Sequence, residues 1–407
     1  MNKKVIIIGA GAAGTMAGIF SAGQGNRVYI YEKNPKIGRK LYISGKGRCN
    51  LTNNCDINTF IANTVTNGRF LYSALIRFSP QDTISFFESH GLHLKTERGN
   101  RVFPVSDRSS DVIDTLFFTA KKSGCVFVNK NVDDIITENG SIKGIIADGE
   151  AIECDKLIVA CGGLSYPLTG STGDGYRFAK KAGHTIVTPK PSLVPLETIE
   201  KPDYSARGLL LKNVSVTFTD TKKKKKLYSS LGEIQLMSYG VSGALTLSAS
   251  SYMREMESGR YRIQIDLKPA LDREKLDKRI LREISENPRQ DCRQLLRSML
   301  PGELVTDFIK ASGIDGDKPC CEMSRADRIK IAEVMKSYTL TVKGFRPIEE
   351  AIVTSGGVSV REIDPKTMQS KLCKGLYFAG EVMDIDCLTG GFNIQAAFST
   401  AVLAAEG

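Results

Sequence analysis

The chain has 407 residues, too many for one compact core, so two or three domains are expected. Its ten cysteines show no regular spacing and no CxxC pair, which argues against a disulfide scaffold and a structural zinc site and favours reduced thiols in a cytoplasmic protein. The formal net charge of +11 favours acidic partners such as phosphates.

The amino terminus imitates a secretory signal, because residues 1–4 include two lysines and an apolar run follows them. Gly9, Gly11 and Gly14 interrupt that run, and a strand-like segment follows at residues 28–31. This is the spacing of a βαβ unit, so no signal peptide is expected. No run of about eighteen apolar residues occurs, so neither a transmembrane helix nor membrane insertion is expected.

The first elements follow from the apolar pattern. Residues 5–8 form a continuous β-branched run, typical of a strand buried on both faces of a parallel sheet. Residues 9–14 supply a glycine-rich turn, and residues 15–23 are small and predict a helix. The next strand, at residues 28–31, ends at Glu32.

Helices and short strands are predicted in the next part of the chain. Apolar spacing of three and four residues indicates helices at residues 81–91 and 110–123. Short β-branched segments at residues 126–128, 142–147 and 157–159 indicate strands.

The pattern changes in the middle of the chain. From residue 189 to 266 apolar and polar residues alternate, which predicts antiparallel strands with Lys222–Lys226 at a hairpin tip. Residues 271–336 are charged and helical in period. A strand at residues 375–379 and a helix at residues 393–405 then return the chain to α/β character.

The predicted fold class is therefore α/β, with one α/β domain interrupted by a β-rich domain and a helical subdomain. The predicted boundaries are residues 1–190 and 343–407 for the α/β domain, 191–270 and 337–342 for the β-rich domain, and 271–336 for the helical subdomain.

Gly9, Gly11 and Gly14 form a GxGxxG motif between a strand and a helix, and Glu32 follows eighteen residues after the last glycine. Such glycines permit a tight turn, close approach to a pyrophosphate and close helix–strand packing. The acid accepts hydrogen bonds from the adenosine ribose, which disfavours NADP. The motif predicts a bound dinucleotide, and by itself leaves FAD and NAD open.

Five blocks of sequence carry a resemblance to a known family. They are the Ser-Gly-Lys-Gly-Arg-Cys-Asn-Leu-Thr-Asn run at residues 44–53 and the glycine-containing segments at residues 160–175, 353–358, 375–381 and 389–395. Together they resemble the BaiN/aminoacetone-oxidase-like family of FAD flavoproteins over essentially the whole chain. The resemblance implies noncovalent FAD and a glutathione-reductase-like FAD-binding domain with an inserted β-rich and helical region.

The expected FAD contacts follow from these blocks. At least one of Arg39, Lys40 and Arg48 is expected to neutralise the pyrophosphate. In such folds Glu381 approaches the ribityl chain, and the helix that starts after Gly391 points its positive end at the flavin pyrimidine edge.

Asn393 and Gln395 are expected to add hydrogen bonds to the flavin. No catalytic residue is assigned, and no metal site is expected. The predicted cofactor contacts are Gly9, Gly11, Ala12, Ala13, Gly14, Glu32, Lys33, Arg39, Lys40, Ser44, Gly45, Gly47, Arg48, Cys49, Asn50, Val132, Ala160, Gly162, Gly163, Gly380, Glu381, Gly390, Gly391, Phe392, Asn393 and Ile394.

Two pairs of side chains could take part in chemistry. Tyr166 and Arg48 are candidates for a proton donor or a substrate anchor near the flavin. Cys49 and Cys55 lie six residues apart, but without a CxxC motif a redox disulfide between them is not expected.

The family resemblance predicts an FAD-dependent oxidoreductase acting on a small molecule. The favoured reaction is NAD(P)H-dependent reduction of an activated, enone-type C=C bond, and the alternative is an amine oxidase that uses oxygen. Because no second GxGxxG occurs, NAD(P)H is expected to bind only transiently. The net charge and the basic run Lys222–Lys226 support an RNA-modifying or RNA-binding flavoprotein as a less favoured hypothesis. The sequence does not predict the oligomeric state.

Overall fold

The computed structural model describes residues 2–202 and 208–407 of the chain. Met1 and residues 203–207, which fall in the predicted α/β and β-rich domains, lie outside the described residues. The chain divides into two compact units, Met1–Ser192 with Pro347–Gly407 and Leu193–Arg346. The finer division of the second unit into a β-rich and a helical part stays a prediction.

Strands and helices are mixed throughout the described residues. In chain order the strands are β1 (Lys4–Ile8), β2 (Arg27–Tyr31), β3 (Thr52–Asn53), β4 (Leu94–Glu97), β5 (Arg101–Pro104), β6 (Val126–Val128), β7 (Val132–Glu138), β8 (Ser141–Ala147), β9 (Glu150–Glu153), β10 (Lys156–Val159), β11 (Ile186–Ser192), β12 (Leu196–Thr198), β13 (Leu209–Asp220), β14 (Lys225–Met237), β15 (Gly240–Ser242), β16 (Tyr261–Asp266), β17 (Tyr338–Phe345), β18 (Val353–Val358) and β19 (Leu376–Phe378). The α-helices are α1 (Ala12–Gly23), α2 (Arg39–Ile43), α3 (Ile57–Ala62), α4 (Tyr72–Arg77), α5 (Pro80–Ser89), α6 (Ser109–Lys122), α7 (Asp174–Lys181), α8 (Ala244–Ser250), α9 (Arg273–Glu286), α10 (Cys292–Met299), α11 (Gly302–Ser312), α12 (Arg325–Lys336) and α13 (Phe392–Glu406).

The first unit is built on a parallel sheet with the strand order β19-β10-β1-β2-β6. The apolar run of β1 is buried, as expected for a strand covered on both faces. Because the strands are parallel, their carboxyl ends meet at one edge, and β1 has β2 on one side and β10 on the other. Open α/β sheets bind ligands at such a reversal of strand order. The predicted α/β fold class with a Rossmann-type sheet is confirmed.

Smaller antiparallel sheets complete the first unit. They have the orders β3-β5-β4, β7-β8-β9 and β11-β18. Helices α1 and α13 pack against each other, so the first and last helices of the chain share one core. The predicted helices near residues 81–91 and 110–123 correspond to α5 and α6.

The second unit contains a closed antiparallel barrel with the order β12-β15-β14-β13-β16-β17. Its strands alternate, since Tyr261, Ile263 and Ile265 of β16 are buried while Arg262 between them is exposed. The hairpin of β13 and β14 carries the lysine run at its tip, as the sequence predicted.

The helical part of the second unit starts each helix with a side-chain cap or after a proline. Asp272, Asp291 and Ser324 accept a hydrogen bond from the backbone amide three residues later, at the starts of α9, α10 and α12. Pro301 precedes α11. Across residues 2–202 and 208–407, no helix is both long enough and apolar enough to cross a bilayer.

Lys156, at the start of β10, is a buried lysine in the core of the first unit. The residue is 3% exposed, and its Nζ donates a hydrogen bond to the Ala405 carbonyl at 2.9 Å. The same nitrogen lies 4.1 Å from the centroid of the Tyr377 ring. Burial, helped by the charge of Lys3, lowers the pKa of Lys156 to about 7.

The lowered pKa of Lys156 makes stability depend on pH in one window. Between pH about 7 and about 10 the unfolded chain holds a proton that the folded chain lacks, so the free energy of unfolding rises with pH there. Below pH about 7 both states are protonated, and the cost of burying the charge is fully present. The carbonyl and the Tyr377 ring offset part of that cost.

We predict that Lys156→Met raises the free energy of unfolding at pH 6.5 by about 2 kcal/mol and flattens its rise at higher pH. Chemical denaturation between pH 6 and 10 measures this. Lys143→Met removes a lysine whose side chain is 53% exposed, and it serves as the control that leaves the slope unchanged. A loss of stability in Lys156→Met at every pH would show instead that the ammonium is net stabilising.

Candidate functional site

The turn between β1 and α1 can be built only from glycine at two positions. A Cβ on Gly14 would lie 1.8 Å from the Gly9 carbonyl oxygen, because α1 packs directly on the strand. Gly9 has a φ of +104°, and a Cβ there would meet the Ala160 carbonyl oxygen at 2.6 Å. The Gly9 amide donates to the Tyr31 carbonyl at 2.8 Å, which fixes the turn against β2.

Gly11 faces open space, in contrast to its neighbours. A Cβ on Gly11 would have no protein atom within 4 Å. Gly11 is the N-cap of α1, and no side chain caps this helix, so the first amides of α1 are available at its positive end. A free helix start beside room for a ligand fits a pyrophosphate, as predicted for Gly11, Ala12 and Ala13.

Glu32 follows the end of β2 with its carboxylate held in place. Its Oε2 accepts the Ala10 amide at 2.9 Å. Its Oε1 accepts the backbone amide of Asn34 at 2.9 Å and the side-chain amide at 2.7 Å. Each carboxylate oxygen has two lone pairs; Oε1 already accepts two hydrogen bonds and Oε2 one, so a lone pair on Oε2 remains for a ribose hydroxyl. Asn34, which positions Glu32, was not found from the sequence, because nothing in the motif requires it.

The loop that follows α2 is strained. Gly45, Lys46, Gly47 and Cys49 all have positive φ, between 56° and 82°. A left-handed conformation costs a non-glycine residue about 1–2 kcal/mol, and such strain clusters at ligand sites. The buried Oδ1 of Asn50 has no hydrogen-bond partner among the residues that the structure describes. A strained backbone and an unsatisfied amide are features that fit a loop shaped around a cofactor, as predicted for Ser44–Asn50.

The structure separates the three cations expected at the pyrophosphate. Lys40 donates to Glu381 at 2.6 Å and to the Ser165 hydroxyl at 2.5 Å. Arg39 instead donates to Asn34 at 2.8 Å, and it lines a separate cavity. Lys40 therefore links the amino-terminal and carboxyl-terminal parts of the cradle, by which we mean the groups at the carboxyl edge of the parallel sheet.

The guanidinium of Arg48 already pairs with acidic side chains of the protein. It forms ion pairs with Glu97 and Asp107, and its guanidinium carbon lies 4.1 Å from the centroid of the Phe103 ring. The hydrogen bond from Arg48 lowers the pKa of the Glu97 carboxyl. Two carboxylates therefore balance the charge that the sequence assigned to pyrophosphate or substrate.

The carboxyl-terminal strand brings Glu381 to the same edge of the sheet. Gly380 has a φ of +74°, and a Cβ on it would lie 2.9 Å from the Cβ of Ala13 in α1. The Glu381 Oε1 accepts the Thr354 amide at 2.9 Å and the Ser165 hydroxyl at 3.0 Å. Ser165 and Thr354 lie in sequence blocks that the family resemblance singled out, but their partners could not be read from the pattern.

Helix α13 begins at a glycine pair in the same region. Gly390 and Gly391 have φ values of +126° and +97°, and a Cβ on Gly391 would lie 2.3 Å from the Thr52 carbonyl oxygen. No side chain caps α13, so its first amides and its positive end are available for a ligand. The starts of α1 and α13 thus belong to one packed region, which fits the extended shape of FAD.

Two amide side chains of α13 are used inside the protein. Gln395 is fully buried, and its amide contacts Thr52, Ser399 and the Phe78 carbonyl. Its expected hydrogen bond to the flavin is therefore wrong. The side chain of Asn393 bonds the backbone of Cys387. Only the backbone amide of Asn393 is left for a cofactor.

The other predicted contacts have varied surroundings. Lys33 forms an ion pair with Asp174 at 2.6 Å, and the Ser44 hydroxyl donates to the Leu41 carbonyl at 2.7 Å. Val132 is buried in β7. Cofactor contact by these residues, and by Gly162, Gly163, Phe392 and Ile394, stays a prediction.

We predict that Gly11→Ala weakens FAD binding to the apoprotein by about tenfold or more, because a methyl group enters the space reserved for the pyrophosphate. Since Gly11 has an ordinary negative φ and no close neighbours, the apoprotein should keep its stability. Flavin fluorescence quenching measures the affinity. Gly23→Ala, at the other end of α1 and equally open, is the matched control. Equal affinities of both variants would place the pyrophosphate elsewhere.

All ten cysteines are free thiols, and Cys49 and Cys55 are buried. Burial raises the pKa of Cys49 to about 12 and that of Cys55 to about 11, so both are protonated and unreactive at neutral pH. We predict that a thiol reagent at pH 8 labels the exposed Cys321 rapidly and that Cys321→Ser abolishes this fast phase. Fast labelling of Cys49 in a peptide map would contradict the buried geometry.

Comparison with known proteins agrees with this geometry. The family model described as HI0933-like protein Rossmann domain matches residues 3–407. The 3-dehydro-bile acid delta(4,6)-reductase of Clostridium scindens is 30% identical over 417 residues, covering 99% of this chain and 98% of that protein. The ribosomal RNA dihydrouridine synthase of Haemophilus influenzae is 31% identical over 401 residues, covering 97% and 96%.

A solved structure shares the fold at low sequence identity. The 3-ketosteroid delta1-dehydrogenase from Sterolibacterium denitrificans has a TM-score of 0.53 at 13% identity, covering 100% of this chain and 99% of that one. The resemblance inferred from the sequence blocks is confirmed. The chain belongs to the HI0933-like Rossmann family and is an FAD-dependent oxidoreductase.

Proposed function

We propose that this protein reduces a carbon–carbon double bond conjugated to a carbonyl group, with NAD(P)H as the electron donor. One observation carries the proposal. Two relatives that match over nearly their full lengths have names that imply the reduction of the same kind of bond in different substrates. One is a delta(4,6)-reductase of a 3-dehydro compound. The other forms dihydrouridine, and the double bond of uridine that is reduced in this step is conjugated to a ring carbonyl.

The cradle supports this chemistry through binding and electrostatics. Bound FAD would supply a hydride to one carbon of the double bond, and a proton from water would complete the reduction at the other carbon. The free amides of α1 would hold the pyrophosphate, and Glu32 would hold the ribose. The uncapped positive end of α13 would favour negative charge on the ligand, as reduction requires.

The single dinucleotide motif bears on how the proposed electron donor would bind. Only one GxGxxG occurs in the sequence, and we assign it to FAD. NAD(P)H would therefore bind transiently, deliver its electrons and leave before the substrate enters.

A small molecule is the favoured substrate, and a uridine in RNA is the second candidate. The RNA reading is supported by the relative named as a ribosomal RNA dihydrouridine synthase and by the net charge of +11. Against it, Lys222 pairs with Glu257 at 2.6 Å and Lys223 pairs with Glu255 at 3.1 Å. The hairpin tip is thus less basic than its sequence suggests.

We predict that, without oxygen, NADPH or NADH bleaches the flavin absorbance and that a steroid with a 4-ene-3-ketone restores it. A uridine-containing RNA oligonucleotide tests the second candidate in the same assay. If RNA alone restores the colour, Lys224→Gln/Lys225→Gln/Lys226→Gln should reduce the salt dependence of its binding. Bleaching by amines alone, reversed only by oxygen, would contradict the reductase and identify an oxidase.

A further inference from the structure

The first unit contains a cavity of about 1090 Å³ whose lining includes Arg39 and Tyr166, two residues predicted from the sequence to lie near FAD. Ligand sites for small molecules are about 300–1,000 Å³, so this cavity is large enough for a molecule of several fused rings. Its walls come from α2, α6 and the turn at Pro167–Thr169. The glycine-rich turn after β1 and the start of α13 do not line it.

The α2 wall faces away from the cradle. Arg39, Tyr42 and Ile43 line the cavity, and their spacing of three and four residues places them on one face of the helix. Lys40 lies on another face, where it bonds Glu381 in the cradle. Tyr42 is 59% exposed, so its aromatic ring lines the cavity with little protein packed on it.

The α6 wall is also one helix face. Ser110, Ile113, Asp114 and Phe117 follow the i, i+3, i+4, i+7 pattern, and all line the cavity. Ile113 and Phe117 make the floor apolar. A floor of this kind binds rings through the area removed from water.

The third wall is strained backbone. Tyr166, a bulky residue, has a φ of +53°, and Gly170 closes the turn at +107°. The segment is held rigid because the amides of Leu164 and Ser165 donate to the Thr354 hydroxyl at 2.8 and 3.1 Å. Leu168 on this turn is 86% exposed beside the cavity. A bulky residue seldom adopts this conformation, and the surrounding contacts must hold it there.

The charged side chains that line the cavity favour a ligand with a single negative charge. Lys36 and Arg39 are exposed, and neither has a carboxylate within ion-pairing distance among the described residues. Asp114 and Glu349 lie on other walls. A single anionic group would find its partners at Lys36 and Arg39, whereas a second anion elsewhere on the ligand would meet a carboxylate.

We propose that this cavity is a second ligand site, separate from the FAD cradle, for an amphipathic monoanion. The ligand has an apolar ring system, which packs between Tyr42 and Phe117, and one carboxylate, sulfonate or phosphate monoester, which contacts Lys36 and Arg39. The Tyr166 hydroxyl supplies a polar contact on the third wall.

The test titrates the FAD-loaded protein with anilinonaphthalene sulfonate, whose rings carry one anion, and with phenylnaphthylamine, the same rings without charge. Probe fluorescence reports binding. Lys36→Gln should weaken sulfonate binding about fivefold and leave the neutral probe unchanged. Leu168→Glu should weaken sulfonate binding about tenfold or more, since it removes apolar area and adds a like charge. Leu168 is exposed enough that the fold should tolerate this change.

Matched variants control for nonspecific surface binding. Lys122→Gln removes an exposed lysine at the far end of α6, and Leu372→Ser removes an exposed apolar side chain outside the cavity. Both should bind the probes as the unaltered protein does. The proposal is overturned if Lys36→Gln and Leu168→Glu bind normally, if the controls lose as much affinity, or if the neutral probe binds as tightly as the anion. It is also overturned if the protein is a dimer that Leu168→Glu separates, because the cavity would then be a contact between copies.

Discussion

The candidate site depends on how closely backbone approaches backbone at two helix starts. At Gly14 a Cβ would overlap the Gly9 carbonyl oxygen, and at Gly391 it would overlap that of Thr52. These contacts pack the start of α1 directly on the turn after β1, and the start of α13 directly on β3. Because neither helix has a side-chain cap, the amides at both ends keep their hydrogen-bonding capacity and positive potential. The open space beside Gly11 then lets a ligand reach the first amides of α1.

The Lys40–Glu381 ion pair makes the cradle a single piece. The two residues are 341 positions apart in sequence, and Glu381 is also held by Ser165 and by the Thr354 amide. The segments that carry Lys40, Ser165 and Thr354 therefore all contact the Glu381 carboxylate, whose side chain is only 21% exposed. A carboxylate held by this many donors has little freedom to move, and such fixed polar groups are what pre-organises a binding site.

The amino-acid sequence by itself determined the elements that rest on short-range rules. The strand–glycine–helix–strand order up to Glu32 was predicted correctly, because a buried strand, a tight turn and a helix start each have a local signature. The start of α13 at Gly391 was predicted for the same reason. Alternating polarity was enough to predict antiparallel strands in the second unit. The family blocks added the cofactor, which spacing alone left open.

Only the tertiary structure decided which side chains face the cradle. Arg48 pairs with Glu97 and Asp107, which lie 49 and 59 residues further along the chain, so its charge is balanced before a ligand binds. Arg39 falls on the outer face of a one-turn helix, and Gln395 is buried by packing against α4 and β3. A local pattern fixes the backbone, but the direction and partners of a long polar side chain depend on residues that distant segments bring beside it.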